Sequence, residues 1–423
     1  MKAGIIADDF TGATDIASFL ANNGIETRLF SGVPDEDYAG EAKALVISLK
    51  SRAAPAEEAV SLSLNALQWL QRQRCDRFYF KYCSTFDSTA QGNIGPVTDA
   101  LLAALNCAVT VISPALPVNG RTVYQGHLFV GDRLLQESGM RNHPVNPMQD
   151  SDLRRLMERQ AEGKCALISA QLLEEGPARL TRRIAELSAA GYRYVVLDAL
   201  TDAHLDLQGR ALREMKFVTG GSGLAAGLAK AWSEDTAIHS PPFTVVPDAA
   251  NTVILSGSCS EQTQQQVAHY VKTGPSMAID VAGLLEKEAD LADYVATIIA
   301  WRQALPPTSL APLIYATTSV GALQEIQRQY GAETSRVMIE KLFAMLARRL
   351  AEAGVTYFIV AGGETSGAVT ESLHIRCFHI GKAVSPGVPW IKADDRQLYL
   401  LLKSGNFGDP AFFSRAQQPE ATL

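Results

Sequence analysis

Two adjacent carboxylates, Asp8 and Asp9, follow the first predicted strand of this 423-residue chain and precede a predicted helix. Two acids in that position cannot both be buried without a cation, a metal or a substrate hydroxyl to hold. The pair therefore suits the orientation or deprotonation of an attacking hydroxyl. The alternative is structural, because carboxylates at a helix N-terminus also cap the helix and complement its dipole. Thr11 or Thr14 is a further candidate for the cap.

Cationic and hydroxyl side chains follow three further predicted strands. Ligands of open α/β sheets bind outside the carboxyl ends of the strands, so these side chains can meet Asp8 and Asp9 in one crevice. An arginine there would bind a carboxylate in bidentate fashion, and a lysine would offset phosphate charge. For each cation taken alone, a solvated surface charge is the alternative. The candidate substrate-binding residues are Lys50, Arg52, Lys81, Ser84, Asp87 and Arg121.

Glycine-rich turns between a predicted strand and a helix occur twice in the second half of the chain, at 256–260 and 361–367. Glycine lets the backbone approach a phosphate, amide groups at the helix start point at it, and serine or threonine adds a donor. Each turn alone is a weak signal, since glycine is common at such junctions for steric reasons. Two of them in one sheet predict a nucleotide-binding cradle. A third polar glycine loop, at 402–409, either closes over the nucleotide or is a plain turn.

Other nucleotide-binding motifs are absent or incomplete, which argues against competing classes of enzyme. The chain lacks a Walker A motif and a protein-kinase catalytic loop. Residues 219–227 imitate the glycine fingerprint of a nicotinamide-dependent oxidoreductase. However, no second strand ending in an acid follows about 20 residues later, as that fold requires. Close helix packing through small residues at a sheet edge is therefore the favoured interpretation.

Composition indicates an ordinary globular protein: 47 % of the residues are hydrophobic and 20 % are charged. The formal net charge of −7 argues against nucleic acid or an anionic membrane as a partner. Six scattered cysteines without metal-binding spacing indicate reduced thiols in a cytoplasmic protein. The chain enters a strand directly after Lys2, which leaves no room for a secretion signal.

Short β-branched or aromatic runs alternate with helical patterns on both sides of a proline-rich segment, as is typical of parallel βαβ units. We therefore predict an α/β fold with two domains, each a largely parallel sheet with flanking helices. The first domain is 1–232, the linker and expected hinge is 233–251, and the second domain is 252–423. The predicted strands are 44–49, 78–82, 108–112, 194–198, 216–219, 252–255, 276–280, 313–316 and 357–361, and the predicted helices include 57–72, 181–190, 261–270 and 335–353.

Motifs spread over nearly the whole chain resemble, in order, those of the four-carbon acid sugar kinase family. They are Asp8-Asp9-Phe10-Thr11-Gly12-Ala13, Lys81 to Thr89 with Gly92-Asn93, Pro114 to Arg121, 221–223, 257–258 and Gly362-Gly363-Glu364-Thr365-Ser366-Gly367. Residues 80–89 are most similar to the 3-oxo-tetronate branch of that family. Gln91 stands where many relatives outside the branch carry an arginine, so one anion contact of those relatives is unfilled here.

This resemblance implies ATP-dependent phosphorylation of the terminal (C4) hydroxyl of 3-oxo-tetronate, with D-threonate or D-erythronate as the alternative substrate. It implies an N-terminal substrate domain and a C-terminal nucleotide domain. Mg²⁺ is expected because ATP chemistry requires it, with Glu364 and Asp409 as candidate ligands or merely capping groups. Carried over by motif, the ATP contacts are Ser258, Gly362, Gly363, Glu364, Thr365 and Gly405.

The expected partners are a small sugar acid and ATP, without nucleic acid or membrane, and a homo-oligomer is left open. Two alternatives come from other classes of protein. An oxidoreductase would use residues 221–227 to bind its nicotinamide cofactor. A non-catalytic sugar-acid sensor would keep the crevice at Asp8 and Asp9 but bind no ATP, against which the two phosphate-type turns count.

Overall fold

The computed structural model divides the chain into two compact units, Met1–Pro242 and Phe243–Leu423. This division falls inside the predicted linker 233–251, of which residues 235–241 lie outside the described residues. Within the described part of the chain, no helix is both long enough and apolar enough to cross a bilayer. The structure describes residues 1–142, 146–234, 242–286, 291–307 and 309–418.

The first unit is built on a parallel sheet whose central strands are almost entirely buried, because helices cover both faces of such a sheet. Its described strands, in chain order, are β1 (Ala3–Ala7), β2 (Thr27–Ser31), β3 (Ala44–Ser48), β4 (Arg77–Lys81), β5 (Thr110–Ser113), β6 (Arg121–Tyr124), β7 (His127–Val130), β8 (Arg133–Leu134), β9 (Lys164–Ile168), β10 (Tyr192–Leu197) and β11 (Phe217–Gly220). The parallel sheet has the order β2-β3-β1-β4-β11-β5-β10-β9, and β6, β7 and β8 form a separate antiparallel sheet.

The helices of the first unit follow the strands as βαβ connections. They are α1 (Phe10–Asn22), α2 (Ala56–Arg72), α3 (Ile94–Leu105), α4 (Leu153–Gln160), α5 (Ala170–Glu174), α6 (Pro177–Ala189), α7 (Asp202–Leu212) and α8 (Ser222–Ser233). The helix predicted at 181–190 begins four residues earlier, because Pro177 occupies the first turn, where its missing N–H costs nothing.

The second unit has a parallel sheet that continues into antiparallel strands. Its described strands are β12 (Thr252–Ser256), β13 (Ser276–Ala278), β14 (Leu313–Tyr315), β15 (Tyr357–Ala361), β16 (Cys377–Ser385), β17 (Val388–Ala393) and β18 (Tyr399–Lys403). The order is β13-β14-β12-β15-β18-β17-β16, and pairing is parallel as far as β18 and antiparallel beyond it. The helices are α9 (Glu261–Tyr270), α10 (Val281–Glu286), α11 (Leu291–Gln303), α12 (Val320–Tyr330), α13 (Ala332–Glu352), α14 (Gly363–Ser372) and α15 (Phe412–Arg415).

The predicted α/β class and the two largely parallel sheets are confirmed. The glycine pattern at 219–227 packs helices against their surroundings, as expected. A Cβ atom on Gly227 would lie 2.0 Å from the backbone oxygen of Leu205, and one on Gly209 would lie 2.1 Å from the carbonyl carbon of Gly227. Helices α7 and α8 therefore touch through their backbones. The expected position at a sheet edge is wrong, since β11 lies between β4 and β5.

Candidate functional site

Asp8 and Asp9 lie where β1 gives way to α1, and a single guanidinium binds both. Arg52 donates from Nε to Asp8 Oδ2 at 2.9 Å and from Nη2 to Asp8 Oδ1 at 2.8 Å. Its Nη1 lies 2.7 Å from Asp9 Oδ2. Burial raises the pKa of Asp8, and the pairing with Arg52 opposes that rise. Arg52, predicted to bind a substrate carboxylate, is thus largely occupied by the protein's own acids.

Asp9 is the N-cap of α1, since its Oδ1 accepts a hydrogen bond from Gly12 N at 2.7 Å. The expectation that Thr11 or Thr14 caps this helix is wrong, and Thr14 Oγ1 instead donates to the Thr11 carbonyl at 2.9 Å. The side chain of Asp9 is 26 % exposed, whereas that of Asp8 is 4 % exposed. Asp9 therefore caps the helix and is also the more accessible carboxylate.

Lys81 ends β4, the neighbour of β1 in the sheet, and is buried. Its backbone oxygen accepts from Asp8 N at 3.1 Å, and its Nζ donates to the Tyr82 carbonyl at 2.8 Å. A Cβ atom on Gly12 would lie 3.0 Å from Lys81 Nζ, so glycine lets the ammonium approach the first turn of α1. Strand pairing therefore brings Lys81 beside the carboxylate pair.

Asp15, a residue that the sequence did not single out, adds a buried carboxylate on α1. Its Oδ2 accepts from Ser222 Oγ at 2.6 Å, and its Oδ1 is buried without a hydrogen-bond partner among the described residues. Burial raises the pKa of Asp15 to about 6, against opposing effects of Lys81 and of the Ser222 hydrogen bond. The sequence feature that could have identified Asp15 is its position as an acidic residue among small and apolar residues of a helix, one turn after Thr11. We call Asp8, Asp9, Asp15, Arg52 and Lys81 the acid–cation cluster.

The motif residue Asn93 holds the loop that carries Arg52. Its Nδ2 donates to the carbonyl oxygens of Ser51 at 2.7 Å and Ala54 at 3.0 Å. Lys50 is exposed in the same loop. Hydrogen bonds thus join the start of α3 to the loop that follows β3.

Of the remaining predicted substrate residues, Ser84 and Asp87 lie in the loop that follows β4, and Arg121 is the first residue of β6. Ser84 is buried, and Asp87 accepts from Thr85 Oγ1 at 2.6 Å within its own loop. Arg121 donates from Nη1 to the Asn119 carbonyl, and its Nε is buried without a partner among the described residues. Its charge acts on the Asp15 carboxyl group. Arg121 is therefore electrically linked to the acid–cation cluster, whereas the described contacts of Asp87 are local.

Asp198 fixes the β6–β7 hairpin, whose first residue is Arg121. Its Oδ2 accepts from Gln125 N at 2.9 Å and from Ala170 N at 3.1 Å, and its Oδ1 accepts from Gly126 N at 2.9 Å. Asp198 is fully buried. Burial raises its pKa, and the three amide hydrogen bonds oppose the rise. The carboxylate thus satisfies backbone groups that would otherwise be orphaned in the turn.

In the second unit, the three predicted glycine loops come together at the ends of β12, β15 and β18, which are neighbours in the sheet. A Cβ atom on Gly257 would lie 2.2 Å from Thr365 Oγ1, and one on Gly405 would lie 2.6 Å from Ser258 Oγ. Gly362 has a φ of +120°, which favours glycine, and a Cβ there would lie 3.2 Å from Ser258 N. We call these loops, 256–260, 361–367 and 402–409, the glycine cradle.

Hydrogen bonds tie the third loop to the first turn of α9. The carbonyl oxygen of Gly405 accepts from Ser260 Oγ at 2.7 Å, from Thr263 Oγ1 at 2.8 Å and from Lys403 Nζ at 3.0 Å. Lys403 Nζ also donates to Thr263 Oγ1 at 2.9 Å and to the Ser404 carbonyl at 2.9 Å. Lys403 is 0 % exposed, and burial lowers its pKa to about 7. The sequence did not single out this lysine.

The two candidate magnesium ligands differ in their surroundings. Asp409 accepts from Ala411 N at 2.9 Å and pairs with Arg415, so it acts as a cap and an ion-pair partner. Glu364 and Gly363 are exposed in the first turn of α14. Among the described residues, no group of three or more His, Cys, Asp or Glu could hold a metal ion. Glu364 is therefore the candidate whose carboxylate remains accessible at the cradle.

Two family models match the chain, one in each unit. A model described as a sugar-binding N-terminal domain matches residues 3–228. A model described as a nucleotide-binding C-terminal domain matches residues 253–413.

Similar proteins cover nearly the full length of the chain. A 3-oxo-tetronate kinase from Pectobacterium atrosepticum is 57 % identical over 99 % of both chains, and one from Salmonella typhimurium is 56 % identical over 99 % of both. One from Escherichia coli is 56 % identical over 91 % of this chain and 99 % of its own. Among solved structures, a putative tRNA synthase from Salmonella typhimurium LT2 matches with a TM-score of 0.89 at 55 % identity, covering 99 % of both chains. Haemophilus influenzae protein HI1011 matches with a TM-score of 0.78 at 50 % identity, covering 98 % of this chain and 99 % of its own.

Two α/β units, one with paired carboxylates and buried cations and the other with a glycine cradle, define a sugar kinase as the class of protein. The chain is an ATP-dependent phosphotransferase with an alcohol group as acceptor. It belongs to the four-carbon acid sugar kinase family, which confirms the resemblance of its motifs. Nothing in these comparisons favours the oxidoreductase or the sensor.

Proposed function

We propose that the chain phosphorylates the C4 hydroxyl of 3-oxo-tetronate with ATP, giving 3-oxo-tetronate 4-phosphate and ADP. The observation that carries the proposal is the 57 % identity, over 99 % of the chain, to the 3-oxo-tetronate kinase of Pectobacterium atrosepticum. The first unit would bind the sugar acid and the second unit the nucleotide. The six cysteines of the chain are all free thiols, which suits the reducing cytoplasm, where we expect the protein to work.

In the first unit, we assign the reaction to the acid–cation cluster. Asp9 accepts the proton as the O–H bond of the C4 hydroxyl breaks and the new O–P bond forms, and ADP leaves with the electron pair of the broken P–O bond. Two observations support the choice of Asp9 over Asp8. Both oxygens of Asp8 are bound by Arg52, and its side chain is 4 % exposed against 26 % for Asp9. Asp8 therefore serves to hold Arg52.

Lys81, Arg121 and the remaining N–H groups of Arg52 provide the positive charge for an anionic substrate. Arg52 donates from Nε and Nη2, along one edge of its guanidinium, to Asp8, and its Nη1 pairs with Asp9. The other N–H groups stay available to a carboxylate or a hydroxyl. Lys50, Ser84 and Asp87 complete the proposed set of substrate contacts on the loops that follow β3 and β4.

In the second unit, we assign the phosphates of ATP to the glycine cradle, with contacts from Ser258, Gly362 to Thr365 and Gly405. Phosphoryl transfer depends on positioning and charge neutralisation, which backbone amides, hydroxyls and cations supply. In such sites, phosphate oxygens and one or two carboxylates commonly bind magnesium. The exposed Glu364 is therefore a suitable carboxylate. When bound, the ion would neutralise charge on the phosphate oxygens.

The test is an ADP-release assay across 3-oxo-tetronate, D-threonate and D-erythronate, with the position of the new phosphate read by NMR. We expect the largest kcat/KM with 3-oxo-tetronate and a phosphate on O4. A larger kcat/KM with either 3-hydroxy acid, or a phosphate at another position, would contradict the proposal.

A further inference from the structure

Lys403 lies where the three loops of the glycine cradle meet, and no acidic side chain among the described residues pairs with its charge. The ammonium donates to a hydroxyl, Thr263 Oγ1, and to two carbonyls, those of Ser404 and Gly405, at 2.9–3.0 Å. The residue is 0 % exposed. Within the described residues, no carboxylate lies within ion-pair distance of it. A buried cation without a counter-ion is costly, and proteins rarely keep one without a use.

The charged groups on the neighbouring elements do not supply that counter-ion. Glu261, at the start of α9, and Glu364, at the start of α14, are exposed. Asp409 and Arg415, beyond the third loop, pair with each other. The pKa of Lys403 is shifted by desolvation alone, down to about 7. The ligand-free cradle therefore holds a lysine that loses its proton near neutral pH.

We propose that Lys403 is a positioning residue for the phosphates of a nucleoside di- or triphosphate, which supply its missing counter-charge and hold it protonated. This inference rests on the proposed use of ATP by the glycine cradle. The geometry gives Lys403 a second task, since its hydrogen bond to the Gly405 carbonyl fixes the loop that packs against Ser258. The lysine thus joins the charge of the nucleotide to the shape of its binding loop.

Nucleotide binding and the protonation of Lys403 are then linked. Below the ligand-free pKa of about 7, Lys403 already carries its proton, so its titration no longer limits nucleotide affinity. As the pH rises above this value, binding must first restore the proton, so affinity falls by up to about tenfold per pH unit. The loss ends at the higher pKa of the nucleotide-bound protein.

Isothermal titration of the wild-type protein with ADP, in two buffers of different ionisation enthalpy, counts the protons taken up. We expect uptake of about one proton per ADP near pH 8 and much less near pH 6. Binding without buffer-dependent heat near pH 8 would overturn the role of Lys403 while leaving ATP use intact. If ADP and ATP both fail to bind the wild-type protein, the proposed use of ATP falls, and this inference with it.

The variant Lys403→Met keeps most of the stem and removes the ammonium. We expect it to lower ADP affinity at least about tenfold near pH 7 and to abolish both the proton uptake and the pH dependence of binding. The matched control is Lys392→Met in β17, where the ammonium lies 6.0 Å from the ring of Tyr399, and it should behave as wild type. Proton uptake that persists in Lys403→Met would assign the proton to another group. Should this variant not fold, the proton count of the wild-type protein still decides.

Discussion

Each unit places a buried lysine at the last residue of a parallel strand, Lys81 in β4 and Lys403 in β18, and their backbone settings match. The carbonyl oxygen of Lys81 accepts from Asp8 N at 3.1 Å, and that of Lys403 accepts from Gly362 N at 2.9 Å. Each Nζ donates to the carbonyl of the next residue, at 2.8 Å and 2.9 Å respectively.

The two lysines differ in the charges around them. Lys81 opposes the burial-driven rise in the pKa of Asp8 and Asp15, so its counter-charges belong to the protein. In the described part of the chain, the ammonium of Lys403 donates hydrogen bonds to one hydroxyl and two carbonyl oxygens and pairs with no carboxylate. The same strand-end geometry thus occurs in two electrostatic settings. Protein carboxylates neutralise Lys81, whereas we propose that a bound ligand neutralises Lys403.

The largest expected effect tests the acidic side of this comparison. Asp9→Asn keeps the cap of α1 and removes the negative charge, so we expect kcat to fall about 10²–10⁴-fold while the KM for ATP changes little. Steady-state kinetics with both substrates measure this. Asp8→Asn serves as the second variant, and its loss should come through a loosened Arg52. If both variants keep wild-type turnover, neither carboxylate has the proposed role.

Removal of each lysine compares the two regions directly through folding. Lys81→Met removes the cation that most strongly opposes the burial of Asp15, whereas Asp8 keeps Arg52, so we expect the free energy of unfolding to fall by about 3 kcal/mol. Lys403→Met removes a charge that is costly to bury, so the ligand-free protein should not be destabilised comparably. Urea unfolding without ligands gives both values. Equal destabilisation by the two substitutions would erase the distinction.

A smaller effect is expected from the shape of the cradle. Gly405→Ala would place a Cβ 2.6 Å from Ser258 Oγ and 2.9 Å from Ser260 Oγ, so both hydroxyl groups must move away from their positions in the cradle. We expect the KM for ATP to rise about tenfold with little change in the KM for the sugar acid. Gly367→Ala is the matched control, because nothing lies within 4 Å of a Cβ there. A rise in both KM values would place the effect outside the nucleotide region.

The smallest expected effect concerns Asp15 and pH. Burial raises its pKa from 3.8 to about 6, so the folded protein binds this proton more tightly than the unfolded chain does. The resulting stabilisation is present at low pH and is lost as the pH rises through about 6. It is worth about 1 kcal/mol between pH 5 and pH 8. Asp15→Asn should remove this component, and thermal unfolding at the two pH values measures it. An unchanged difference between them would show that another group titrates.

The glycine cradle was predictable because each loop is a local pattern of strand, glycine and helix start. Lys403 and Asp15 were not, since their roles depend on which elements become neighbours. Lys403 acquires its surroundings from the pairing of β18 with β15, and Asp15 from the approach of Ser222 at the start of α8. Arg52 was assigned to the right loop, but its partners depend on a fold that brings Asp8 and Asp9 to it.

The fold shows the same limit. Alternation of strands with helices predicted the parallel sheets, because most of the crossovers contain a helix with a readable period. Strand β17, which pairs with β16 after a short turn, and the hairpins of β6, β7 and β8 were missed. Strand β2, which pairs with β3, was missed as well.

The carboxylate of Asp198 has a consequence for the entropy of binding. By holding the amides of Gln125, Gly126 and Ala170, it restricts the hairpin of Arg121 when the protein folds. Ordering a mobile side chain on binding costs about 0.5–1.5 kcal/mol, and ordering a loop costs more. A sugar acid that meets Arg121 would therefore find the backbone already ordered, and the freedom lost would be its own and that of one side chain.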